Sequence, residues 1–175
     1  ILAIDVSRSM CSTDIAPNRL ESAKTAALQF IKSQDSNTQI GIVVFAGFAA
    51  IAQPPTTDHA LLEATIQNIA TARRTAIGEG ILMSINAISE IDDSVVSPYS
   101  SVLLTDGVTT TGIDPIAAAQ MAKDRGIRVY TIGFGTTNNS SPMNCNPYEP
   151  QFEDPLGNQQ FGGGNGGFRR EIDEA

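Results

Sequence analysis

The amino-acid sequence predicts an α/β fold with a doubly wound, mostly parallel central sheet, helices on both faces and one antiparallel edge strand. Short apolar runs rich in β-branched residues have the character of buried parallel strands; they are residues 1–5, 39–47, 102–106 and 128–135. Helical patterns lie between them, so the strands are joined by crossovers. The run 49–53 follows the strand at 39–47 too closely for a crossover, and it therefore predicts an antiparallel edge hairpin.

The helical patterns are segments whose apolar residues repeat at helical spacing, and they cover residues 20–31, 62–69, 81–88 and 114–126. Asp58 precedes the second segment as a cap-like residue. In the fourth segment Asp114 can cap the helix, Pro115 fits its first turn and Gly126 can end it. These signals support the alternation of strands and helices.

The composition is typical of a globular domain with an acidic surface. The 175 residues are enough for one domain, of which 41% are hydrophobic and 17% are charged. No apolar run approaches the roughly 18 residues of a membrane span. The formal net charge of −8 argues against nucleic acid or an anionic membrane surface as a partner, because both attract basic surfaces. Such a charge suits the binding of cations.

The chain is expected to be a single domain, residues 1–175, cut at both ends from a longer protein. Its first residues already belong to a predicted strand, and its last residues, FRREIDEA, look like the start of another helix. A membrane anchor or targeting segment can therefore lie outside it. Residues 136–167 are rich in Asn, Pro, Ser and Gly and have no periodicity, which predicts a long loop or insertion.

Oxygen-bearing side chains follow two of the predicted strands. Asp5, Ser7 and Ser9 alternate directly after the first strand, and Asp106 ends a second one. Residues two apart point to one side of an extended chain, so the first three can converge. Thr75 stands in a polar loop before the third helical segment. Ligands of an open parallel sheet bind beyond the carboxyl ends of the strands, so we expect these five side chains to meet there.

This set has the chemistry of a site for a hard, oxygen-seeking cation. Mg²⁺ takes six oxygens in near-octahedral geometry and is usually held by one or two carboxylates plus waters. Asp5 and Asp106 are the only acids of the set, and Ser7, Ser9 and Thr75 supply neutral oxygens. One position then stays open for water or for a carboxylate from a partner. Mg²⁺ is the expected ion, and Mn²⁺ or Ca²⁺ can substitute.

Simpler roles exist for single residues, whereas an enzyme is not indicated. Asp5 alone can cap the helix that follows it, and Asp106 alone can start a turn that Gly107 makes sharp. A phosphatase of the haloacid dehalogenase type needs a second acid two residues after its nucleophilic aspartate, where Ser7 stands. The only histidine, His59, lies at a predicted helix start and is expected to be solvated; no G-x-S-x-G serine and no G-x-x-x-x-G-K loop accompany it.

The complete set resembles the metal-ion-dependent adhesion site (MIDAS) of the von Willebrand factor A (VWA) domain family. DVSRSM, the threonine of RRTAIGEG and LLTDG match the D-x-S-x-S, Thr and Asp pattern without substitution. The resemblance runs in order and spacing along almost all of residues 1–135, including VVFAG. It implies a Rossmann-like doubly wound fold, the VWA fold.

The resemblance also implies roles for the individual residues. Ser7 and Ser9 would ligate the metal directly, Thr75 directly or through water, and Asp5 and Asp106 mainly through water. A glutamate or aspartate of a partner protein would complete the shell. The implied function is therefore metal-dependent protein binding or adhesion, and not catalysis.

Further segments resemble a bacterial subgroup. DIAPNRLESAK, AIGEG and DRGIRVYTIGFGT are similar to the aerotolerance (Bat) type and its mycobacterial and other membrane-anchored relatives. This similarity implies an extracytoplasmic domain at a bacterial cell membrane, held by segments outside this chain and working beside a MoxR-type AAA+ ATPase. The alternative is a regulatory or structural subunit domain of an AAA+ assembly, as in metal chelatases. Apolar flanking segments would favour the first, and an acidic or AAA+ stretch the second.

Two cysteines and three arginines lie near the predicted ligands. Cys11 follows the metal loop and Cys145 lies in the loop after the last predicted strand, so both are expected at one edge of the sheet. In an oxidising compartment they can pair and tie the long loop beside the site; otherwise both are free thiols. Arg8, Arg73 and Arg74 bracket the ligands, either as solvated loop charges or as groups that steer an acidic partner.

Overall fold

The computed structural model describes residues 1–89, 99–136 and 141–146. In chain order its elements are β1 (Leu2–Asp5), a 3-10 helix (Arg8–Cys11), α1 (Arg19–Ser33), β2 (Ile40–Phe45), β3 (Ala49–Thr56), α2 (His59–Gln67), α3 (Ile77–Ser89), β4 (Ser100–Thr105), α4 (Pro115–Asp124) and β5 (Arg128–Gly133). Every predicted strand and helix within the described ranges is present. The prediction that residues 128–135 form a buried strand is wrong, however, because β5 lies at the edge of the sheet and most of its residues, including Tyr130 and Ile132, are exposed. Most of the predicted loop 136–167 and the C-terminal FRREIDEA helix lie outside the described residues.

The strands form one sheet in the order β3-β2-β1-β4-β5. β1 pairs in parallel with β2 and with β4, so that Leu2 lies opposite Ile42 on one side and Val102 on the other. β4 pairs in parallel with β5, and β3 runs antiparallel to β2. The chain thus winds outward from β1 in both directions. The predicted mostly parallel α/β sheet with one antiparallel edge strand is confirmed.

The edge strand β3 is longer than the predicted run 49–53, because it continues through Pro54 and Pro55 to Thr56. A proline has no N–H to donate, and an edge strand tolerates this because one of its sides has no neighbour. The register against β2 shifts at this level, since Ile40 lies opposite Thr56 and Ile42 opposite Gln53. The two prolines therefore break the regular ladder without ending the strand.

Helices cover both faces of the sheet. α1 and α2 pack on one face, where they meet Leu2 and Ile4 of β1. α3 and α4 pack on the other face, where they meet Ala3 of β1 and Val43 of β2. Successive strand residues point to opposite faces, so the central strands are buried on both sides. This explains why they form continuous apolar runs rather than alternating patterns.

Polar residues begin three of the helices. The side chains of Asn18, Asp58 and Asp114 accept hydrogen bonds from main-chain N–H groups in the first turns of α1, α2 and α4. Pro115 is the first residue of α4, and Gly126 follows its end with a left-handed φ of +72°. The predicted caps at Asp58 and Asp114 and the predicted stop at Gly126 are confirmed.

Two local predictions are wrong. Gly107 is not in the left-handed region, and a Cβ added there would have no atom within 4 Å, so the turn after β4 does not require glycine. His59 begins α2 as expected but is half-buried, and its Nε2 has no hydrogen-bond partner among the described residues. The 3-10 helix Arg8–Cys11 was not predicted, because four residues are too few to show a period.

Candidate metal site

The predicted metal-binding residues lie on loops at the carboxyl-end edge of the sheet. Asp5 is the last residue of β1, and Asp106 directly follows β4, the neighbour of β1. Chain winding reverses between these two strands, because β2 lies on one side of β1 and β4 on the other. The crevice at such a switch point is the usual ligand site of an open α/β sheet.

The Asp5 carboxylate is buried and oriented by two hydrogen bonds. The main-chain N–H of Ser7 donates to its Oδ1 at 2.8 Å, and the hydroxyl of Thr105 donates to its Oδ2 at 2.6 Å. Burial raises the pKa of the Asp5 carboxyl to about 6, against the opposing effect of the hydrogen bonds from Thr105 and Ser7. The Ser7 contact closes a local turn and is not a helix cap, because the 3-10 helix has Ser7 as its N-cap and no side-chain cap. The Thr105 contact ties Asp5 to the neighbouring strand.

Hydroxyl groups connect Asp5's loop to Asp106. The Oγ atoms of Ser7 and Ser9 lie 2.9 Å apart, and Ser9 Oγ donates to Asp106 Oδ1 at 2.7 Å. The 3-10 helix produces this convergence, because it turns the chain back at Ser9 directly after the extended residue Ser7. Ser7 and Asp106 are buried, and Ser9 is half-buried. Four of the five predicted residues therefore form one compact cluster of oxygens.

Backbone hydrogen bonds hold Thr75 at this edge of the sheet. Its carbonyl oxygen accepts the main-chain N–H of Thr110 at 2.8 Å, and its N–H donates to Thr110 Oγ1 at 3.0 Å. Three residues earlier, Ala72 N–H donates to the Val6 carbonyl at 2.7 Å. The Thr75 loop is thus held between the loops after β1 and β4. No hydrogen bond within the described ranges uses the Thr75 hydroxyl, and the residue is buried.

A buried arginine that was not among the predicted site residues lies behind the cluster. Arg19 Nη1 donates to Asp106 Oδ2 at 2.7 Å. Its Nε and Nη2 donate to the two carboxylate oxygens of Asp14 at 2.7 and 2.6 Å. The Arg19 hydrogen bond holds the pKa of the Asp14 carboxyl well below its usual range, and the hydroxyl and N–H of Thr136 act in the same direction.

One sequence signal could have found this arginine. Arg19, Ala23 and Ala27 recur at intervals of four, so Arg19 lies on the buried stripe of α1. A buried guanidinium needs carboxylate partners, and Asp14 is close in sequence. Nothing local points to Asp106 or to the Thr105 hydroxyl, because both contacts join segments about a hundred residues apart.

The rim of the cluster is exposed and basic. Arg8, Arg73 and Arg74 are all solvent-exposed, and none of them forms a salt bridge within the described part of the chain. Arg74 has a φ of +68°, which is uncommon for a residue with a side chain. Phe48 is 53% exposed, and its turn lies beside this loop because Gly47 N–H donates to the Arg73 carbonyl at 2.8 Å.

Cys11 and Cys145 form a disulfide, with their Cα atoms 4.6 Å apart. Of the two outcomes considered for these cysteines, pairing is confirmed. Hydrogen bonds also hold residues 141–146 in place, from Asn144 N–H to the Cys11 carbonyl and from Asn18 Nδ2 to the Asn144 carbonyl, both 2.8 Å. This part of the predicted long loop therefore lies against the 3-10 helix of the site.

The donor set fits a hard divalent cation. Its atoms are carboxylate and hydroxyl oxygens only, and Cys11 is not available as a thiolate because it is in the disulfide. In the described residues no three His, Cys, Asp or Glu side chains gather into a metal-binding group. A site here would accordingly combine two carboxylates with neutral oxygens, a composition suited to a cation that keeps some of its water.

A known family model covers more than half of the chain. Residues 1–108 match the family model of the von Willebrand factor type A domain. The chain belongs to the von Willebrand factor type A domain family. Among the described helices of this VWA domain, none has the length and apolar character needed to cross a membrane.

Relatives of this VWA domain include proteins described as UPF0353 proteins. A UPF0353 protein of Nocardia farcinica is 39% identical over 149 residues, and another of Mycolicibacterium paratuberculosis is 40% identical over 147 residues. Each match covers 78% of this chain but 44% of the relative. The chain therefore spans less than half the length of these curated relatives.

Solved structures of Bat-type proteins share the fold. BatB of Bacteroides thetaiotaomicron superposes with a TM-score of 0.71 at 30% identity, covering 78% of this chain and 66% of that one. An aerotolerance-related membrane protein of Bacteroides fragilis gives 0.75 at 28% identity, covering 90% and 77%. At 23% identity, a likeness of fold alone extends to mussel byssus proximal thread matrix protein 1, described with a zinc-occupied MIDAS motif (TM-score 0.63, covering 77% and 35%).

Proposed function

We propose that this VWA domain is a metal-dependent protein-binding module. In this proposal Asp5, Ser7, Ser9, Thr75 and Asp106 form a complete MIDAS that holds a divalent cation, and the cation accepts a carboxylate from a partner protein. The observation that carries the proposal is the chain of oxygens from Ser7 through Ser9 to Asp106 at the switch point of the sheet. Mg²⁺ is the proposed ion, with Mn²⁺ or Ca²⁺ as substitutes.

Each residue of the cluster has a distinct part in this function. Asp5 and Asp106 supply negative charge, and their hydrogen bonds to Thr105 and Ser9 fix the direction of the carboxylates. The serine and threonine hydroxyls supply neutral oxygens and add no negative charge beyond that of the two carboxylates. The cation in the loaded site can therefore still attract an anion. The cation supplies an electrophilic anchor for one carboxylate. The described zinc-occupied MIDAS of the mussel protein supports the choice of a divalent cation.

The basic residues at the rim of the site favour an acidic partner. Arg8, Arg73 and Arg74 are exposed and without salt bridges in the described ranges, although the chain has a net charge of −8. We propose that they steer an acidic partner segment toward the metal. Exposed Phe48 offers an apolar contact beside them.

The proposed setting is a bacterial membrane protein. Similarity to BatB and to an aerotolerance-related membrane protein supports a parent that is anchored in the cell membrane by segments outside this chain, with the domain extracytoplasmic. A MoxR-type AAA+ ATPase is the proposed partner system. We assign no catalytic step to the domain, since its single histidine lies in α2, outside the site.

Direct titration of the chain with Mn²⁺, followed by electron paramagnetic resonance, tests the metal site. We expect one ion to bind, Mg²⁺ to displace it, and Asp5→Ala to abolish binding. Asp35→Ala is the matched control, because Asp35 is an exposed acid before β2, at the opposite edge of the sheet. Equal Mn²⁺ binding by the wild type and Asp5→Ala would refute the site.

Partner capture tests the binding function. The immobilised domain is incubated with a bacterial membrane extract in Mg²⁺ or in EDTA, and retained proteins are identified by mass spectrometry. We expect a defined protein to be retained in Mg²⁺, to be released by EDTA and to be absent with Asp5→Ala. Equal capture under all three conditions would refute the mechanism. Retention of a metal-chelatase-type ring, in place of a membrane protein or a MoxR-type ATPase, would favour the chelatase-like alternative.

A further inference from the structure

Arg19 is a fixed element of the site rather than a flexible charge. Its side chain is 2% exposed, and it forms hydrogen bonds of 2.6 to 2.7 Å through three of its nitrogens. Two of these bonds form a bidentate pair with Asp14, a geometry that a guanidinium can make and an ammonium group cannot. Asp14 is held in turn by the N–H and hydroxyl of Thr136, both at 2.9 Å from its Oδ2.

This arrangement decides which oxygen Asp106 can offer. Its Oδ2 accepts from Arg19 Nη1, while its Oδ1 faces the hydroxyl of Ser9 within the cluster. The backbone of Gly135 also approaches the guanidinium closely, because a Cβ added at Gly135 would lie 3.1 Å from Arg19 Cζ. Asp106 therefore cannot turn both oxygens toward the cluster without breaking a buried charge-assisted hydrogen bond.

Neither net charge nor stability explains why Arg19 and Asp14 are paired behind the site. Arg19 and Asp14 neutralise each other, so they add no net charge to the site. Buried ion pairs also give little net stability relative to apolar residues of the same volume, because desolvation offsets the attraction. What the arrangement does determine is the orientation of Asp106.

We propose that Arg19 is a positioning residue that restricts Asp106 to one oxygen and thereby makes the site select Mg²⁺ over Ca²⁺. The inference rests on the proposed metal-binding function. Ca²⁺ takes six to eight oxygens and readily uses both oxygens of a carboxylate, whereas Mg²⁺ requires six in a near-octahedral arrangement. With its Oδ2 bonded to Arg19, Asp106 cannot bind Ca²⁺ through both oxygens, whereas its Oδ1 can still hold a water of Mg²⁺, which keeps several of its waters. Freeing that oxygen should improve the site for Ca²⁺ relative to Mg²⁺.

Ion competition on Arg19→Lys tests the inference. Bound Mn²⁺ is displaced by Mg²⁺ or by Ca²⁺, and the ratio of the two dissociation constants is compared with that of the wild type. Lysine keeps the charge but has a single nitrogen, so it cannot reproduce the bidentate pair with Asp14 together with the bond to Asp106. Changing a hydrogen-bond partner of a ligand typically costs about 10–100-fold in metal affinity, so we expect Mg²⁺ to weaken about tenfold and Ca²⁺ clearly less. Arg125→Lys, at the exposed end of α4, is the matched control.

A purely structural role would not change this ratio, because loss of folded protein weakens both ions equally. The ratio is measured at a temperature where circular dichroism shows each variant folded. Asp14→Asn is the second variant, because it weakens the hold on Arg19 without changing a proposed ligand. If Arg19→Lys does not fold, the ratio of dissociation constants measured on Asp14→Asn tests the inference. An unchanged ratio in the folded variant overturns the inference and leaves the metal site intact. Absence of metal binding by the wild type overturns both.

Discussion

Ser9 Oγ donates a hydrogen bond of 2.7 Å to Asp106 Oδ1, although 97 residues separate the two in the chain. This bond joins the loop after β1 to the loop after β4. The Ser9 hydroxyl, itself a proposed ligand, thereby orients the Asp106 carboxylate. Ser9→Ala removes both the neutral oxygen and the orienting donor. We expect it to lower Mn²⁺ and Mg²⁺ affinity at least about tenfold. The free energy of unfolding in EDTA should fall by about 1–3 kcal/mol, because the buried Asp106 carboxylate loses a donor.

Ser33→Ala is the control for this variant. Ser33 is an exposed serine at the end of α1 whose hydroxyl donates to the Phe30 carbonyl, so its loss should leave metal affinity unchanged. The Mn²⁺ titration measures the effect on metal affinity, and chemical unfolding in EDTA measures the effect on the free energy of unfolding. Unaltered metal affinity of Ser9→Ala would exclude Ser9 from the site.

The local part of the candidate site could be predicted from the sequence. The spacing of two after a strand predicts that Asp5, Ser7 and Ser9 converge, although the convergence arises in the 3-10 helix after Ser7 and not on an extended chain. The position of Asp106 at the end of another strand predicts that it lies at the same edge. Those inferences need only local geometry and the rule for open sheets. Arg19 was missed because its partners are set by tertiary packing, and the Asp106 contact spans 87 residues.

The fold could be predicted in outline for a similar reason. Strands buried on both faces produce continuous apolar runs, so β1, β2 and β4 were visible in the sequence. β3 was predicted too short, because Pro54 and Pro55 remove backbone donors and are unusual in strands unless the strand lies at an edge. Edge position is a property of the whole sheet, and the sequence of a segment does not contain it.

Charge reversal at Arg73 should slow the capture of acidic ligands. We expect Arg73→Glu to reduce the association rate of a fluorescent oligoglutamate peptide with the Mg²⁺-loaded domain several-fold at low salt, because Arg73 is exposed beside the site. The difference should shrink at high salt, where the screening length falls to about 3 Å at 1 M. Stopped-flow fluorescence measures the rate, and Arg125→Glu is the control at a remote exposed position. Equal rates for Arg73→Glu and the wild type would remove the steering role.

Asp14 should contribute to stability near neutral pH and lose that contribution in acid. The Arg19 hydrogen bond lowers the pKa of Asp14 in the folded protein, so below the unfolded value the unfolded chain binds more protons and stability falls. We expect Asp14→Asn to cost about 2–4 kcal/mol at pH 7, because it weakens a buried pair. This difference should stay constant down to about pH 5 and shrink below about pH 4, where the unfolded aspartate protonates.

Urea unfolding of the wild type and Asp14→Asn across this range provides the measurement. Asp124→Asn, at the exposed end of α4, controls for the loss of one acidic charge. A stability difference that grew toward low pH would contradict the assigned direction of the shift.

The disulfide between Cys11 and Cys145 should stabilise the site-facing part of the fold. Protein purified without reductant should show no free thiols after denaturation. Reduction should lower the free energy of unfolding by about 2–4 kcal/mol, because the cross-link restricts the unfolded chain. The same reductant should have no effect on Cys145→Ser, which already lacks the bond. Two free thiols in the oxidised preparation would show that the pair does not form in solution.

Gly78 should be required for the contact between α3 and the loop before α4. A Cβ added at Gly78 would collide with the Ile113 carbonyl, which is main chain and cannot move aside like a side chain. Overpacking of this kind costs about 1–3 kcal/mol, and the better helix propensity of alanine recovers only part of it. Gly107→Ala is the matched control, because an added Cβ there meets nothing within 4 Å and should change stability by less than about 0.5 kcal/mol. The same displacement would move the loop that holds Thr75, so Gly78→Ala should also weaken Mn²⁺ binding in folded protein. If Gly78→Ala and Gly107→Ala showed the same stability and the same Mn²⁺ affinity, this packing would be contradicted.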